Sequence, residues 1–418
     1  MGLSLLLQGS GAVLAYASQL VMARVLGAGP FGSVSAIVGI SALVGLALTL
    51  GGGGLALRLL PRWYTLGDRS RCWEFLVGFW CAILVCSAVL LGLVWLLAGS
   101  GLEGGLAASG VILSMLTAFW TFGGDAGRAV GRFASTYGLS LVVRPALTIL
   151  TVVILVRAVG LQGAAAGMAA LCAGGVVAVV VQMLVLARAV RPEAAPVVRE
   201  VGLWRGWWRQ APHYLMANGF VLMLLQVDLL MSATLLSPVD LGHYAAASKS
   251  ASVLLVVSAA VGTVVVPRLS LYSDDVRMLA LEAASATRWQ LMLVSGPAVV
   301  LLIFAGAILS LFGPGFADAA LPLQVMVLGQ LINMAFGPGG TLLVYTGHPK
   351  VATWGYGVAT VVSGAACALG IVMWGLLGAA VGSALGVASV GAIMWLLARH
   401  KTGVGGSVYA AAKTWIRR

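Results

Sequence analysis

Asp228 and Lys249 are the residues from which chemistry is argued first. They stand in two apolar runs that approach each other between Gln226 and Lys249, joined by the turn Ser237-Pro-Val-Asp-Leu-Gly242. A charge inside an apolar helix is costly unless it is paired or faces water, so its default reading is functional. Asp228 lies about eight residues from the end of its run, roughly 12 Å deep at 1.5 Å per residue, close to a bilayer midplane. A carboxylate there can bind a coupling proton or cation and gate a path. It can equally pair with Lys249 and hold two helices together. Lys249, about two turns into the next run, suits a phosphate as a point charge, or snorkels, or pairs with Asp228. Tyr214 precedes Asp228 by nearly four helical turns and shares its face. Asn218 lies one turn further along on its flank, and the stripe reads as a cavity lining.

Other bases stand where a phosphate could meet them. Arg144 lies two turns into an apolar run and precedes Pro145, which frees backbone groups and can kink a helix. Arg24 closes the first run, as a ligand or by snorkelling. Arg128 and Arg132, four residues apart at the end of a run, can recruit anionic head groups or simply mark topology. Asn333-Met-Ala-Phe-Gly-Pro-Gly-Gly340 interrupts a run, and a spanning helix breaks in this way only where backbone is buried or lines a cavity. Asn333 is therefore a further cavity candidate, unless the break is a tolerated kink, as is the alternative for Pro297.

The elements that position these residues are apolar helices. Of the 418 residues 61% are hydrophobic and 9% are charged, against about 25% charged in ordinary soluble domains. Mean hydropathy is +1.05, the value of a polytopic membrane protein. The 56 glycines suit close helix packing in lipid. At about 20 residues per crossing, about twelve spans are expected, near 3–25, 34–57, 75–98, 105–124, 137–157, 162–187, 212–236, 243–267, 289–312, 319–345, 350–374 and 377–398. Gly51 to Gly54 then read as flexible packing inside the second span. The first run has no basic segment before it and is expected as a retained helix rather than a cleaved leader. No barrel-type alternation is present, so the fold class is an all-α polytopic membrane protein.

Basic residues set the orientation. With the N-terminus inside, only Arg24 and Arg157 of the 24 Lys and Arg fall outside, and Arg144 and Lys249 lie within spans; the rest are cytoplasmic. Both termini are therefore expected in the cytoplasm. The net charge of +12 follows from these loops. It is no nucleic-acid signature, because no basic stripe with interleaved aromatics appears. Five scattered cysteines and four distant histidines predict neither disulfide nor metal site.

The chain also carries an internal echo. Gly29-Pro-Phe-Gly32-Ser-Val-Ser-Ala36 matches Val239-Asp-Leu-Gly242-His-Tyr-Ala-Ala246, and Leu161-Gln-Gly-Ala-Ala-Ala-Gly167 matches Leu376-Leu-Gly-Ala-Ala-Val-Gly382. Two in-order matches with six spans per half predict a parallel repeat. The expected divisions are an N-terminal six-helix lobe (1–190), a cytoplasmic linker (191–211), a C-terminal six-helix lobe (212–400) and a tail (401–418). Trp204, Trp207 and Trp208, beside Arg205 and Arg209, suit the headgroup level. The tail Val408–Arg418 is expected as a short amphipathic helix on the inner face or a frayed end.

Several of these segments resemble the multidrug/oligosaccharidyl-lipid/polysaccharide exporter superfamily, above all its polysaccharide-transport branch with the O-antigen flippases. They are Ala23-Arg-Val-Leu-Gly-Ala-Gly-Pro-Phe-Gly32, Val227-Asp228, Val239-Asp-Leu-Gly-His-Tyr-Ala-Ala-Ala247, Phe312-Gly-Pro-Gly-Phe316 and Thr346-Gly-His-Pro-Lys350. The resemblance spans nearly the whole chain and rests on the order of short motifs. It implies two six-helix lobes in a V around a central cavity. It implies movement of a polyprenyl-pyrophosphate-linked oligosaccharide from the inner to the outer leaflet of the bacterial cytoplasmic membrane, for lipopolysaccharide O-antigen or other surface polysaccharide. The diphosphate would then meet Arg144 on the inner side and Lys249 or Arg24 toward the outer side. Membrane lipids and glycan-polymerising proteins are the expected partners, and nucleic acid is not. Two other readings stand beside it: a cation- or proton-coupled multidrug antiporter, and a non-transporting scaffold of a glycan-assembly complex. Lipid II flippases of the same superfamily usually have fourteen helices, which sets a chain of twelve apart from them.

An enzyme is not expected. Gly99-Ser-Gly-Leu-Glu-Gly104 fits GxGxxG but follows an apolar span rather than a Rossmann strand, and no GxxxxGK[ST] occurs. No cofactor is therefore expected, and a proton or sodium gradient is the drive that remains.

Overall fold

The computed structural model describes residues 2–98, 101–132, 134–191, 201–258 and 275–406, with 262, 269 and 272. Helices α1 (Gly2–Leu26), α2 (Ala28–Leu48), α3 (Gly52–Thr65), α4 (Arg69–Ala98) and α5 (Leu102–Ala129) come first. A π-helical turn at Ala134–Gly138 leads into α6 (Leu139–Arg157) and α7 (Gly163–Val190). Then follow α8 (Val201–Leu235), α9 (Pro238–Ala251), α10 (Val276–Ile303), α11 (Ala305–Ser310), α12 (Ala320–Ala335), α13 (Gly339–Tyr345) and α14 (Pro349–Thr402). No strand occurs among the described residues.

Nine helical stretches among the described residues are long and apolar enough to cross a membrane. The last, α14, has 54 residues, roughly 80 Å at 1.5 Å per residue, which is too long for one crossing of a hydrocarbon core about 30 Å thick. It breaks at Trp374 and Gly375, the latter at φ 56 and ψ −129, and its halves match the two last expected spans. The chain is an all-α, multi-pass membrane protein. The expected eighth span starts in α9, and residues 253–258 are helical. Most of 259–267 lies outside the described residues. So do 192–200 of the expected linker, the tail from 407 onward, and the side chains of Trp204 and Arg205.

The turn before α9 forms for local reasons. Ser237 caps the helix, its Oγ accepting from the Asp240 amide at 3.2 Å and donating to Asp240 Oδ2 at 2.8 Å. Pro238 follows at the first helical position, where a missing N–H costs nothing.

Three expected spans differ most from the observed helices; the ninth, expected at 289–312, begins at Val276 and breaks at Phe304 before Ala305–Ser310. The second, expected at 34–57, ends at Leu48 and restarts at Gly52. Leu50 and Gly51 between them take φ 52 and φ 80. Gly51 to Gly54 are therefore not helical packing within one span but a break followed by close contacts. A Cβ on Gly51 would meet the Ala211 carbonyl, and one on Gly54 the Tyr214 ring, both closer than 3.0 Å. The seventh span, expected from 212, begins at Val201 and runs through Pro212. Its early start follows from its aromatics. Trp207 is 4% exposed and packs edge-on to Phe75 at 5.1 Å, while Trp208 lies 5.0 Å from Phe79. These rings, expected at the headgroup level, complete a core with Trp63 and Phe122. By contrast, the interruption expected in the tenth span falls where Gly-Pro stands: α12 and α13 are separated by Phe336–Pro338, with Gly337 at φ 82.

The chain forms two compact units, Met1–Gly219 and Phe220–Arg418, so the division falls within α8. In the first, α5 packs against α2, α3, α4 and α7, and α6 against α1 and α7. In the second, α12 packs against α9, α10 and α14, and α13 against α14.

Candidate functional site

A cavity of about 370 Å³ lies within the C-terminal unit. α8 contributes Gln226 and Asp228, α9 contributes Ser248 and Lys249, α12 contributes Gln330 and Asn333, and α14 contributes Tyr356, Ser363 and Ser383. Small residues let these helices approach. Gly329 of α12 faces Ala384, and within α14 Gly386 faces Ser363 and Gly382 faces Cys367, each with no room for a Cβ. Close approach of this kind is how spanning helices associate without a hydrophobic drive between them.

Asp228 anchors one wall. The Tyr244 hydroxyl donates to its Oδ2 at 2.7 Å and the Ser383 hydroxyl donates to the same oxygen at 2.8 Å. Its Oδ1 accepts from the Leu229 amide at 2.8 Å. The Cys367 thiol donates to the Asp228 main-chain carbonyl at 3.6 Å. Tyr244 is fully buried and Ser383 nearly so, so the carboxylate is tied to α9 and to the second half of α14. Lys249 lines the same cavity from the last turn of α9. Among the described residues no ion pair joins it to Asp228, and its ammonium has no hydrogen-bond partner. The structural pair that the sequence left open is thus not formed; the carboxylate has taken hydroxyl partners instead.

The structure therefore brings Asp228, Lys249 and Asn333 into one cavity. Tyr214 and Asn218, expected to continue the stripe, are not among its walls. Tyr214 belongs to the N-terminal unit, where its hydroxyl accepts from Arg58 Nη1 at 3.3 Å and its ring sits on Gly54. Arg58 also donates to Gln210 Oε1 at 3.0 Å. Asn218 is exposed.

The remaining candidates occupy separate elements of the N-terminal unit. Arg24 is exposed in the last turn of α1. The Arg144 guanidinium lies 5.2 Å from the ring centroid of Trp120, a cation–π geometry. Its carbonyl accepts from the Thr148 hydroxyl at 2.9 Å, beside Gly174 of α7. Arg128 is paired with Asp125, one turn earlier on α5. Arg132 is exposed just beyond that helix. Among the described residues no cluster of His, Cys, Asp or Glu is arranged to hold a metal.

Sequence reasoning missed Tyr244, Ser383, Gln330 and Tyr356. Tyr244 stood in a quoted motif, and its distance from Asp228 across the turn is a usable signal. Ser383 is 155 residues from Asp228 and carries no local signal.

No protein-family model and no curated protein matches the sequence. Solved structures do. An inward-facing multidrug resistance MATE family transporter of the MOP superfamily aligns with TM-score 0.74 and 14% identity, over 97% of this chain and 96% of that one. The lipid II flippase MurJ, in an inward closed conformation, aligns with TM-score 0.75 and 13% identity, over 100% of this chain and 90% of that one. The MATE transporter VcmN of Vibrio cholerae aligns with TM-score 0.62 and 17% identity, over 95% of both chains. With its helices broken where the sequence placed Gly and Pro, the chain has the fold that MATE transporters and the MurJ flippase share.

Proposed function

We propose that the chain is an alternating-access transporter that moves a polyprenyl-diphosphate-linked oligosaccharide from the inner to the outer leaflet for cell-surface polysaccharide synthesis. It works in the bacterial cytoplasmic membrane with both termini inside. Two six-span lobes, 1–190 and 212–400, would supply its halves, with 191–211 as the linker. The observation that carries this reading is the C-terminal cavity, where the Lys249 ammonium makes no ion pair or hydrogen bond among the described residues while Asp228 already holds two hydroxyls. An ammonium left open inside an apolar bundle is stabilised by an anion that comes and goes. Arg144 on the face of Trp120 supplies a second cationic point in the N-terminal unit. The isoprenoid tail needs no protein path, because it stays in hydrocarbon; only the polar head must be sheltered.

The likeness to MATE transporters supports the rival reading of a cation antiporter. That reading requires Asp228 to give up its hydroxyl partners to a drug cation. The test is leaflet translocation in proteoliposomes. A fluorescent polyprenyl-diphosphate saccharide placed in both leaflets is quenched by an impermeant reductant from outside. Quenching that passes half only when the protein is present supports the flippase. Organic cations moving while the lipid stays put would establish the antiporter instead.

A further inference from the structure

We propose that the cavity of the C-terminal unit seats one sugar ring carrying a single anionic group. This rests on the flippase reading for the identity of the cargo, but its evidence is the cavity wall. Gln226, Ser248, Gln330, Asn333, Tyr356 and Ser363 all line it, and none of these side chains has a hydrogen-bond partner among the described residues. Polar side chains in an apolar bundle normally satisfy one another, since each unmet group is costly. Gln330 Oε1 is wholly buried without a partner, and six side chains with free polar atoms around one space are matched by a guest rich in both donors and acceptors. Amides and hydroxyls each offer both, as the ring hydroxyls of a sugar do.

Charge narrows the guest further. Lys249 is the cavity's one cation, and its ammonium is open. Asp228, its one carboxylate, is capped by Tyr244 and Ser383. The ionic group left without a hydrogen-bond partner is therefore the ammonium, which a lone phosphate or carboxylate satisfies. The volume of about 370 Å³ lies at the small end of ligand sites, which run about 300–1,000 Å³. It fits a ring rather than an oligosaccharide. The anionic group is either the phosphate on the ring nearest the lipid or the carboxylate of a uronic acid, and both meet Lys249 as a point charge.

The test is equilibrium binding to the full chain in nanodiscs, by competition among a hexose 1-phosphate, a hexuronate, a neutral hexose and inorganic phosphate. The proposal expects one or both anionic hexoses to bind more tightly than the neutral hexose and than phosphate. The phosphate and carboxylate arms tell the two sources apart. Lys249→Gln should weaken the anionic hexose about 10- to 100-fold and erase its advantage over the neutral one. Asn333→Ala should weaken every hexose and leave phosphate unchanged. Phosphate binding as tightly as both anionic hexoses, or an advantage that survives Lys249→Gln, would overturn the proposal. So would absence of binding by all four. The ranking on the unaltered chain decides the matter even if a variant fails to fold. Absence of binding together with intact lipid translocation would remove the ring seat and leave the flippase standing.

Discussion

Tyr244→Phe tests the arrangement around Asp228 with the smallest change available. The ring stays in its fully buried packing, and one 2.7 Å hydrogen bond to Oδ2 is lost. Oδ2 keeps the Ser383 donor at 2.8 Å, so the carboxylate is not stranded. Hydrogen bonds to charged groups contribute about 1.5–3 kcal/mol in soluble proteins. Polar contacts between spanning helices average only about 0.6 kcal/mol, with a maximum near 1.7. A phenol donating to a carboxylate belongs at the upper end of the second range, so a loss of about 1.5 kcal/mol is expected, roughly tenfold in the unfolding equilibrium. The number to measure is the coupling in a double-mutant cycle with Asp228→Ala, read from reversible detergent-induced unfolding in bicelles. If Tyr244 acts through Asp228, the two changes together cost about 1.5 kcal/mol less than their sum. Additivity within about 0.3 kcal/mol, the scatter of independent sites, would refute the coupling, whatever the single changes cost.

Two further outcomes test the packing of the N-terminal unit. Gly51→Ala should destabilise by more than about 2 kcal/mol, because it forces a Cβ into a left-handed conformation and against the Ala211 carbonyl. Gly9→Ala, in a helix with open space around it, should be neutral or stabilising by up to about 1 kcal/mol in the same unfolding assay. Trp207→Ala should cost about 3–5 kcal/mol, as for other buried aromatics. Trp95→Ala, at a residue 68% exposed on α4, should stay within about 1 kcal/mol. Equal losses at the two tryptophans would contradict the placement of Trp207 in the core.

What the sequence made legible was whatever depended on local composition. Apolar length gave most of the spans. Gly337-Pro338 gave the break between α12 and α13. The cost of charge in lipid singled out Asp228 and Lys249, and both face one cavity. Asn333 joined them because a helix break marks buried or cavity-lining backbone. Contacts between distant helices were hidden. Ser383 reaches Asp228 only through the register of α14 against α8, which no sequence window contains. The four glycines from Gly51 read as helical packing because glycine is permissive; which neighbour presses on each is a tertiary fact. Trp207 read as a headgroup-level ring because Trp stands beside Arg, and its burial against Trp63 and Phe75 is a tertiary fact that the sequence does not show. Tyr214 stands on the same helix as Asp228, where periodicity placed it, but its contact with Arg58 carries no local signal.

The measurement that bears most directly on the central claim is leaflet translocation by the unaltered chain beside Lys249→Gln, at equal incorporation into proteoliposomes. Protein-dependent movement of a polyprenyl-diphosphate saccharide, slowed at least about tenfold by Lys249→Gln, is the predicted result. Movement at the same rate in both would contradict the assignment of the open ammonium to the travelling anion, and no movement of the lipid with either chain would contradict the flippase itself.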